Sequence, residues 1–311
     1  MLSKVAERVY WTARYLERVE STARLISIYD MLLFDLPKTV KISWYNLIVI
    51  NSLENDFSDR YSVQEERNVV KFLLGDDTNP CSMLTSLASM RENIRTTRDV
   101  VLEETWEQVN ELYLYVQNNI QNGIDRRQRH EFLDSVIKGC QQILGLLYCN
   151  MPHDPAWDFL RIGRNLERAD MTSRNLDAGL AEMIELSDDE AAVNSRQIVW
   201  GNILRSLNAH QSYRRHVRSA VAGKAVLPYL LEDPDFPRSI AHCFNALLHS
   251  CERLPQSEHV VKQLKKIRRK IFRKMDYDMP ASNIRDHIND TQIQLASIHN
   301  LVREQWFPID Y

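Results

Sequence analysis

Leu2, Val5, Val9, Thr12, Leu16, Val19, Ala23 and Ile26 follow one another at alternating steps of three and four residues. Such spacing lays a narrow apolar seam along a helix of about eight turns. Tyr10, Arg14, Glu17, Arg18, Ser21 and Arg24 fall on the other side of that helix, which is therefore either a second, polar contact face or a solvent face. Downstream, helical patterning covers 42–53, where Trp44 and Leu47 begin an apolar stripe, and 63–74, closed by Gly75. A turn over 75–80 follows, with Asn79 as N-cap and Pro80 as first helical residue of a helix running through Met90, Arg91, Asn93, Arg95 and Arg98. A helix around Trp106, Asn110 and Tyr113 stops near Asn122-Gly123, and another covers 126–148.

Pro152-His153-Asp154-Pro155 breaks the chain, with Asp154 and Pro155 supplying a new cap and first turn. The next long helix runs to about Met183, followed by Ser187-x-x-Glu190 as a capping box. A helix then holds Trp200 and continues through 205–218. After a break at 233–237, closing helices cover 238–253, 260–275 and 283–306.

The two long helices share more than their pattern. Arg14, Leu16, Glu17, Arg18, Glu20, Thr22 and Arg24 return 150 residues later as Arg164, Leu166, Glu167, Arg168, Asp170, Thr172 and Arg174. The apolar neighbours drift (Val19 against Ala169, Ala23 against Ser173) while the charges persist, the reverse of what a solvated face does. Ile42, Trp44 and Asn46 return as Ile198, Trp200 and Asn202, and Pro80-x-Ser82 as Pro237-x-Ser239. These echoes predict an internal duplication: an all-α protein of two related helical halves, 1–151 and 152–311, packed as one bundle-like unit about a pseudo-twofold axis. Two copies are too few for a solenoid.

Composition supports that class and narrows the chemistry. Of 311 residues, 44% are hydrophobic and 26% charged, with only 8 glycines and 10 prolines, a globular composition poor in turn formers. The net charge of −3 argues against nucleic-acid binding over the whole surface. Five cysteines without a C-x-x-C pair signal neither a disulfide framework nor a zinc site, so a reducing compartment is expected. With no signal-peptide pattern at the start and no apolar run long enough to span a bilayer, the expected location is cytoplasmic. His242 and His249, and His210 and His216, lack the i, i+4 spacing of a helical metal site. No phosphate-loop or nucleophile-elbow motif is present, and neither metal nor cofactor is expected.

Three sets of charged residues remain as candidates. The first comprises Arg14, Glu17, Arg18 and Arg24 with Arg164, Glu167, Arg168 and Arg174. Adjacent Glu and Arg do not face one another on a helix, so Glu17 is placed to meet Arg14 or Ser21, and Glu20 and Asp170 precede Arg24 and Arg174 by four. Exposed pairs of that kind contribute only about 0.3 to 0.5 kcal/mol, too little to account for the whole pattern recurring. Three readings stand: buried cross-links between the long helices; an arginine pocket for carboxylate or phosphate; or Glu17 or Glu167 as general acid or base. The second set is Arg91, Asn93, Arg95 and Arg98, in which the three arginines share a face and need acids, Glu103 and Glu104 being at hand, or an anionic ligand. Arg205, Arg214, Arg215 and Arg218 form the comparable group of the second half. The third set, Lys262, Lys265, Lys266, Arg268, Arg269, Lys270, Arg273 and Lys274, with Leu264, Ile267 and Ile271 opposite, is a basic amphipathic helix. It suits an acidic protein partner, RNA, an anionic membrane surface or plain solvent, and lacks aromatic residues for stacking apart from Phe272.

Arg14-Tyr-Leu-Glu-Arg-Val-Glu-Ser-Thr-Ala-Arg24, Trp157-x-Phe-Leu-Arg-x-Gly-Arg-x-Leu-Glu-Arg-Ala-Asp170, Arg91-Glu-Asn-x-Arg95 and Trp106-Glu-x-x-Asn110-x-Leu-Tyr113 together resemble the bacterial alpha-E family, DUF403, a helical domain named for its Glu-Arg motif. The resemblance spans nearly the whole chain. It implies a tandem helical domain encoded beside circularly permuted ATP-grasp amide ligases, transglutaminase-like proteins and sometimes an NTN-type peptidase, hence a role in peptide synthesis or modification. By position the family motif falls on Glu17, Arg18, Glu167 and Arg168, with Arg91, Asn93 and Arg95 as a second block; no catalytic role comes with it. The expected function is a non-catalytic binding and scaffold partner of an ATP-grasp ligase, its arginines gripping an acidic peptide or a partner's carboxylates. The rival expectations are an acyl or peptide transferase or ligase component using Glu17 or Glu167, and an RNA or membrane-surface binder working through 260–275.

Overall fold

A computed structural model describes residues 1–35, 43–184 and 190–307, which form fourteen helices and no strand. In order these are α1 (Ser3–Asp35), α2 (Asn46–Ile50), α3 (Glu54–Arg60), α4 (Glu66–Gly75), α5 (Met83–Arg95), α6 (Glu103–Ile124), α7 (Arg129–Asn150), α8 (Pro155–Ile184), α9 (Glu190–Ser206), α10 (His210–His216), α11 (Gly223–Glu232), α12 (Ile240–Arg253), α13 (Glu258–Ile271) and α14 (Ala281–Trp306). The all-α expectation is met.

The packing follows one plan twice. In the first half α1 lies against α5 and α7, and α6 bridges those two; in the second, α8 lies against α12 and α14, and α13 bridges those two. The two groups join most extensively along α1 and α8, and elements reach across: α9 packs on α1 and α2 on α8. One continuous apolar core runs through both groups.

That plan explains why α1 is buried on more than one side. The seam is real from Val9 onward, with Val19, Ala23 and Ile26 fully buried, whereas Leu2 is exposed. The opposite, polar side is a contact face: Tyr10, Glu17 and Ser21 are buried too. Starts of helices follow their local chemistry. Asp154 Oδ1 accepts from the amides of Ala156 and Trp157 and opens α8 at Pro155. Ser82 accepts from the Thr85 amide and Ser239 from the His242 amide, so the two Pro-x-Ser echoes are the same capping device.

Several boundaries differ from the pattern-based expectation. Asn79 is not the cap of α5: its Oδ1 accepts from the Cys81 amide and its Nδ2 donates to the Phe72 carbonyl, forming an Asx turn that hands the chain to Ser82. α5 ends at Arg95, so Arg98 follows the helix and does not extend its face. The helix expected through 205–218 is cut at Asn208, whose φ of 53° places it in the left-handed conformation that Asn tolerates; α9 and α10 flank the cut. Two short helices, α3 and α11, have no counterpart in the pattern-based reading. Pro228 lies inside α11 and removes a rung of its hydrogen bonding, but Val226, Leu227, Tyr229, Leu230 and Leu231 are buried and tertiary packing outweighs propensity in so short a helix. The expected helix over 42–53 narrows to α2. Ile42, one of the echo residues, and Ser187 of the capping box lie outside the described residues.

Candidate functional site

The site is built where α1 and α8 cross. Gly163 sets the approach: a Cβ there would lie 2.2 Å from the Tyr10 carbonyl oxygen, so the helix backbones meet with no side chain between them. About two turns past Tyr10 on α1 and one turn past Gly163 on α8, the glutamates of the two Glu-Arg pairs reach across. Arg14 Nε donates to Glu167 Oε2 at 2.6 Å and Arg18 Nε to Oε1 at 2.7 Å. Reciprocally, Arg168 Nη2 donates to Glu17 Oε2 at 2.7 Å, with Arg164 Nε at 3.4 Å from the same oxygen. Spacing along the chain pointed Glu17 toward Arg14 or Ser21 of its own helix; each glutamate instead takes both arginines of the opposite helix. The i, i+4 pairs Glu20–Arg24 and Asp170–Arg174 close at 2.8 Å.

The exchange is reciprocal but not equal. Arg238 donates from Nη1 to Glu17 Oε1 and lies 3.2 Å from Glu20 through Nη2. Its backbone carbonyl accepts from the Thr172 hydroxyl at 2.9 Å. The position matching Arg238 in the Pro-x-Ser echo is Cys81 in the first half, 3.7 Å from Arg18 Nη1. Glu17 thus has three guanidinium neighbours and Glu167 two. Glu17 and Glu167 are each 2% exposed, while the side chains of Arg14, Arg18 and Arg164 keep 12–16% of their surface. Around Arg14, Tyr10 Oη lies 2.8 Å from His299 Nδ1 and accepts from Arg14 Nη1 at 3.2 Å, and the guanidinium stands 4.9 Å from the Trp11 ring. Arg164 stands 4.8 Å from the Tyr148 ring.

The electrostatics follow from this packing. Burial alone pushes the Glu17 carboxyl up, but Arg168, Arg238 and Arg164 outweigh it and hold it well below the usual carboxylate range. Burial likewise raises Glu167, and Arg18 and Arg14 overcome it, bringing it to about 2. Burial lowers Arg238, and its attraction to Glu17 only partly offsets that. Burial, then Arg14 and Arg303, push His299 down to about 4, and burial raises the Tyr10 hydroxyl to about 12. A base working near neutrality needs a pKa near the operating pH; carboxylates held this far down, with both oxygens accepting from guanidinium groups, do not have one.

These shifts give a pH dependence whose sign can be worked out. A glutamate with a depressed folded-state pKa stabilises the fold above its unfolded value and loses that contribution as pH falls through the folded value; a histidine held neutral does the same from about pH 6.5 downward. Stability is expected to fall between about pH 6.5 and 4 through His299, and further below about pH 4.5 through Glu167 and Glu17. Thermal midpoints measured from pH 7 to pH 3 check this. A flat profile would show that the carboxylates are not held by these arginines.

The other two candidate sets sit apart. Arg91 Nε donates to Asn110 Oδ1 at 2.7 Å, with its guanidinium 5.3 Å from the Trp106 ring and 5.2 Å from the Tyr113 ring; Arg98 stands 4.2 Å from Trp106. The residues that carry the family resemblance in α5 and α6 thereby meet. Arg95 pairs with Glu92 at 2.7 Å, so neither Glu103 nor Glu104 supplies the counter-charge. Asn93 takes part through its carbonyl, which accepts from the Thr96 and Thr97 hydroxyls. On α13 the buried residues are Val260, Leu264, Ile267 and Ile271. Lys265 pairs with Glu252 at 3.1 Å and Arg273 with Asp290 at 3.7 Å. Lys262, Lys266, Arg268, Arg269, Lys270 and Lys274 are exposed.

Sequence reasoning missed Arg238, although the echo around Pro237 and Ser239 marked its place. It also missed Arg129, 1% exposed, which donates to Asp30 at 2.7 Å, Glu66 at 2.8 Å and the carbonyls of Gly123 and Ile124; nothing in the local pattern distinguished that arginine from its neighbours. Among the described residues no group of three or more His, Cys, Asp or Glu is placed to hold a metal ion, and no helix is long and apolar enough to cross a membrane.

Among known proteins, an uncharacterised protein of Mycobacterium bovis and two of Mycobacterium tuberculosis are each 22% identical to this chain over 278 residues, covering 82% of it. The chain spans about 30% of the length of these curated relatives. No solved structure matches it. The profile of the Alpha-E family, described as a predicted alpha-helical domain with a conserved ER motif, matches residues 1–307. With the Glu-Arg pairs at the crossing of α1 and α8, this chain belongs to the Alpha-E family.

Proposed function

We propose that this chain is a non-catalytic helical binding and scaffold subunit of a peptide synthesis or modification system, working with an ATP-grasp-type amide ligase or a transglutaminase-like protein. In this reading 1–151 and 152–311 are two copies of one unit, and the Glu-Arg motifs are the lock that joins them. The observation that carries it is the reciprocal exchange at the crossing, Glu17 with Arg164 and Arg168 and Glu167 with Arg14 and Arg18. Groups committed to each other in this way supply rigidity between two bundles. They supply neither a free base nor an open arginine fork for a substrate.

The relatives lend support of another kind. Their matching region makes up about 30% of each protein, so in them it shares a polypeptide with a much larger remainder. A helical unit that accompanies a much larger remainder in one polypeptide is suited to a binding and scaffold role beside other machinery.

The test is co-expression in turn with an ATP-grasp-type amide ligase and a transglutaminase-like protein of the same genome, followed by size-exclusion chromatography with light scattering and a ligase assay. A complex of fixed ratio is expected, and Glu167→Gln is expected to leave its turnover unchanged. Absence of a complex with either partner overturns the scaffold reading. Loss of turnover in Glu167→Gln, with fold and complex intact, would replace it with the enzyme reading.

A further inference from the structure

If the arginines at the helix crossing are spent on internal glutamates, an acidic partner must be met elsewhere, and the described residues offer one dense alternative. From Lys265 to Lys270 every exposed position of α13 is a cation: Lys265, Lys266, Arg268, Arg269 and Lys270, with only Ile267 turned inward. Lys262 with Lys266, Lys265 with Arg269, and Lys266 with Lys270 are like charges four residues apart, a spacing that destabilises a helix. The helix dipole favours Arg268, Arg269 and Lys270 in the last turn, but it does nothing for Lys262, Lys265 and Lys266. Among the described residues, internal acids pair with two of these cations, Glu252 with Lys265 and Asp290 with Arg273. The net charge of the whole chain is −3, so this is a local concentration of cations on an otherwise slightly acidic protein.

We infer that the exposed face of α13 is the docking surface for an acidic protein segment, a deduction that rests on the scaffold reading above. Its chemistry separates it from the other polyanion binders. From 258 to 274 the only Phe, Tyr or Trp is Phe272, which packs edge-on against Phe244 with centroids 5.8 Å apart. The one exposed ring is the His259 imidazole at the far, N-terminal end of the helix, so the cationic run from Lys265 to Lys274 has no exposed ring on which successive bases stack. From Glu258 to Lys274 no apolar residue is exposed, so the face has no wedge to insert into a lipid surface. Beside the helix, Arg269, Lys270 and Arg273 line an open groove of about 470 Å³ against Asp290 and Gln294 of α14. Guanidinium forks in such a groove match side-chain carboxylates in a bidentate manner.

The test titrates three probes at matched low ionic strength: a short poly-glutamate peptide, a mixed-sequence single-stranded RNA, and phosphatidylcholine vesicles containing phosphatidylserine. The peptide is expected to bind most tightly. Combining Lys266→Glu, Arg269→Glu, Lys270→Glu and Arg273→Glu is expected to weaken it by about tenfold or more, and the same four positions changed to glutamine to give an intermediate loss; circular dichroism checks that both variants remain helical. Tighter binding of RNA or vesicles, or peptide affinity unchanged in the glutamate variant, overturns the inference. The same variant then goes into the ligase co-expression. A complex that survives the four reversals removes α13 as the docking face and leaves the scaffold reading standing, whereas wild-type protein that binds the peptide but forms no complex removes the scaffold reading and leaves the acidic-segment surface standing.

Discussion

Replacing Glu17 with glutamine is expected to destabilise the protein by about 3 to 5 kcal/mol, seen as a fall in the urea midpoint with little change in the slope of the transition. Glutamine keeps the shape and part of the hydrogen bonding but removes the negative charge on which Arg164, Arg168 and Arg238 converge. Arg168 is 5% exposed and Arg238 8%, so water cannot take over. Arg238 keeps Glu20 at 3.2 Å; Arg168 keeps only the Pro237 carbonyl, at 3.3 Å, and its buried Nε has no hydrogen-bond partner even in the intact protein.

The corresponding change at Glu167 is expected to cost less, about 1.5 to 3 kcal/mol. Its partners Arg14 and Arg18 retain some contact with solvent and have secondary neighbours in Tyr10, Trp11 and Tyr15. The ordering is the sharper part of this prediction, because the two glutamates occupy matching positions in the sequence and differ through Arg238. Equal effects at the two sites, or an effect of Glu17→Gln within about 1 kcal/mol of the parent, would mean that Arg238 contributes nothing to the lock. Adding Arg168→Gln to Glu17→Gln removes one stranded cation, so the double variant is expected to be more stable than the sum of the single losses.

The comparison of these two glutamates also marks how far the sequence could be read. The seam of α1 and the break at Asp154 were legible because each rests on local chemistry: period, cap and backbone restriction. Pro-x-Ser was visible as an echo, but its cap was assigned to Asn79 in place of Ser82, because two capping residues stood within four positions. The recurring Glu-Arg pairs identified the important residues but not their partners, since Glu17 and Arg168 lie 151 positions apart and spacing along one helix speaks only of neighbours within about a turn. α11 was hidden by Pro228, and α3 by its brevity. The second arginine block was misjudged because Arg98 lies beyond the end of its helix, where the face rule no longer holds. The cations of the basic run from Lys262 to Lys270 were legible, being defined by exposure on a short amphipathic period rather than by distant contacts, whereas Arg273 and Lys274, expected on the same helix, follow the end of α13 at Ile271.

Replacing Gly163 with alanine is expected to cost about 3 kcal/mol, the upper end of the usual range for overpacking, despite the better helix propensity of alanine, which on its own would contribute about 1 kcal/mol in favour. The clash decides the sign. The new Cβ would stand 2.2 Å from the Tyr10 carbonyl oxygen and 3.1 Å from its carbon; both are backbone atoms of a long buried helix, with no rotamer to move them aside. Relief requires α1 and α8 to separate by about 1 Å, and the reciprocal ion pairs, at 2.6 to 2.7 Å for Arg14, Arg18 and Arg168, lie about one to two turns away on the same two helices, so the separation lengthens them as well. Gly145 supplies the control: it sits within α7 with nothing inside 4 Å of the place a methyl group would take, so Gly145→Ala is expected to gain about 0.5 to 1 kcal/mol. Urea midpoints of the two variants, measured side by side, separate a helix crossing that demands glycine from a general preference for alanine in helices. A Gly163→Ala protein as stable as Gly145→Ala would show that the two long helices do not meet backbone to backbone.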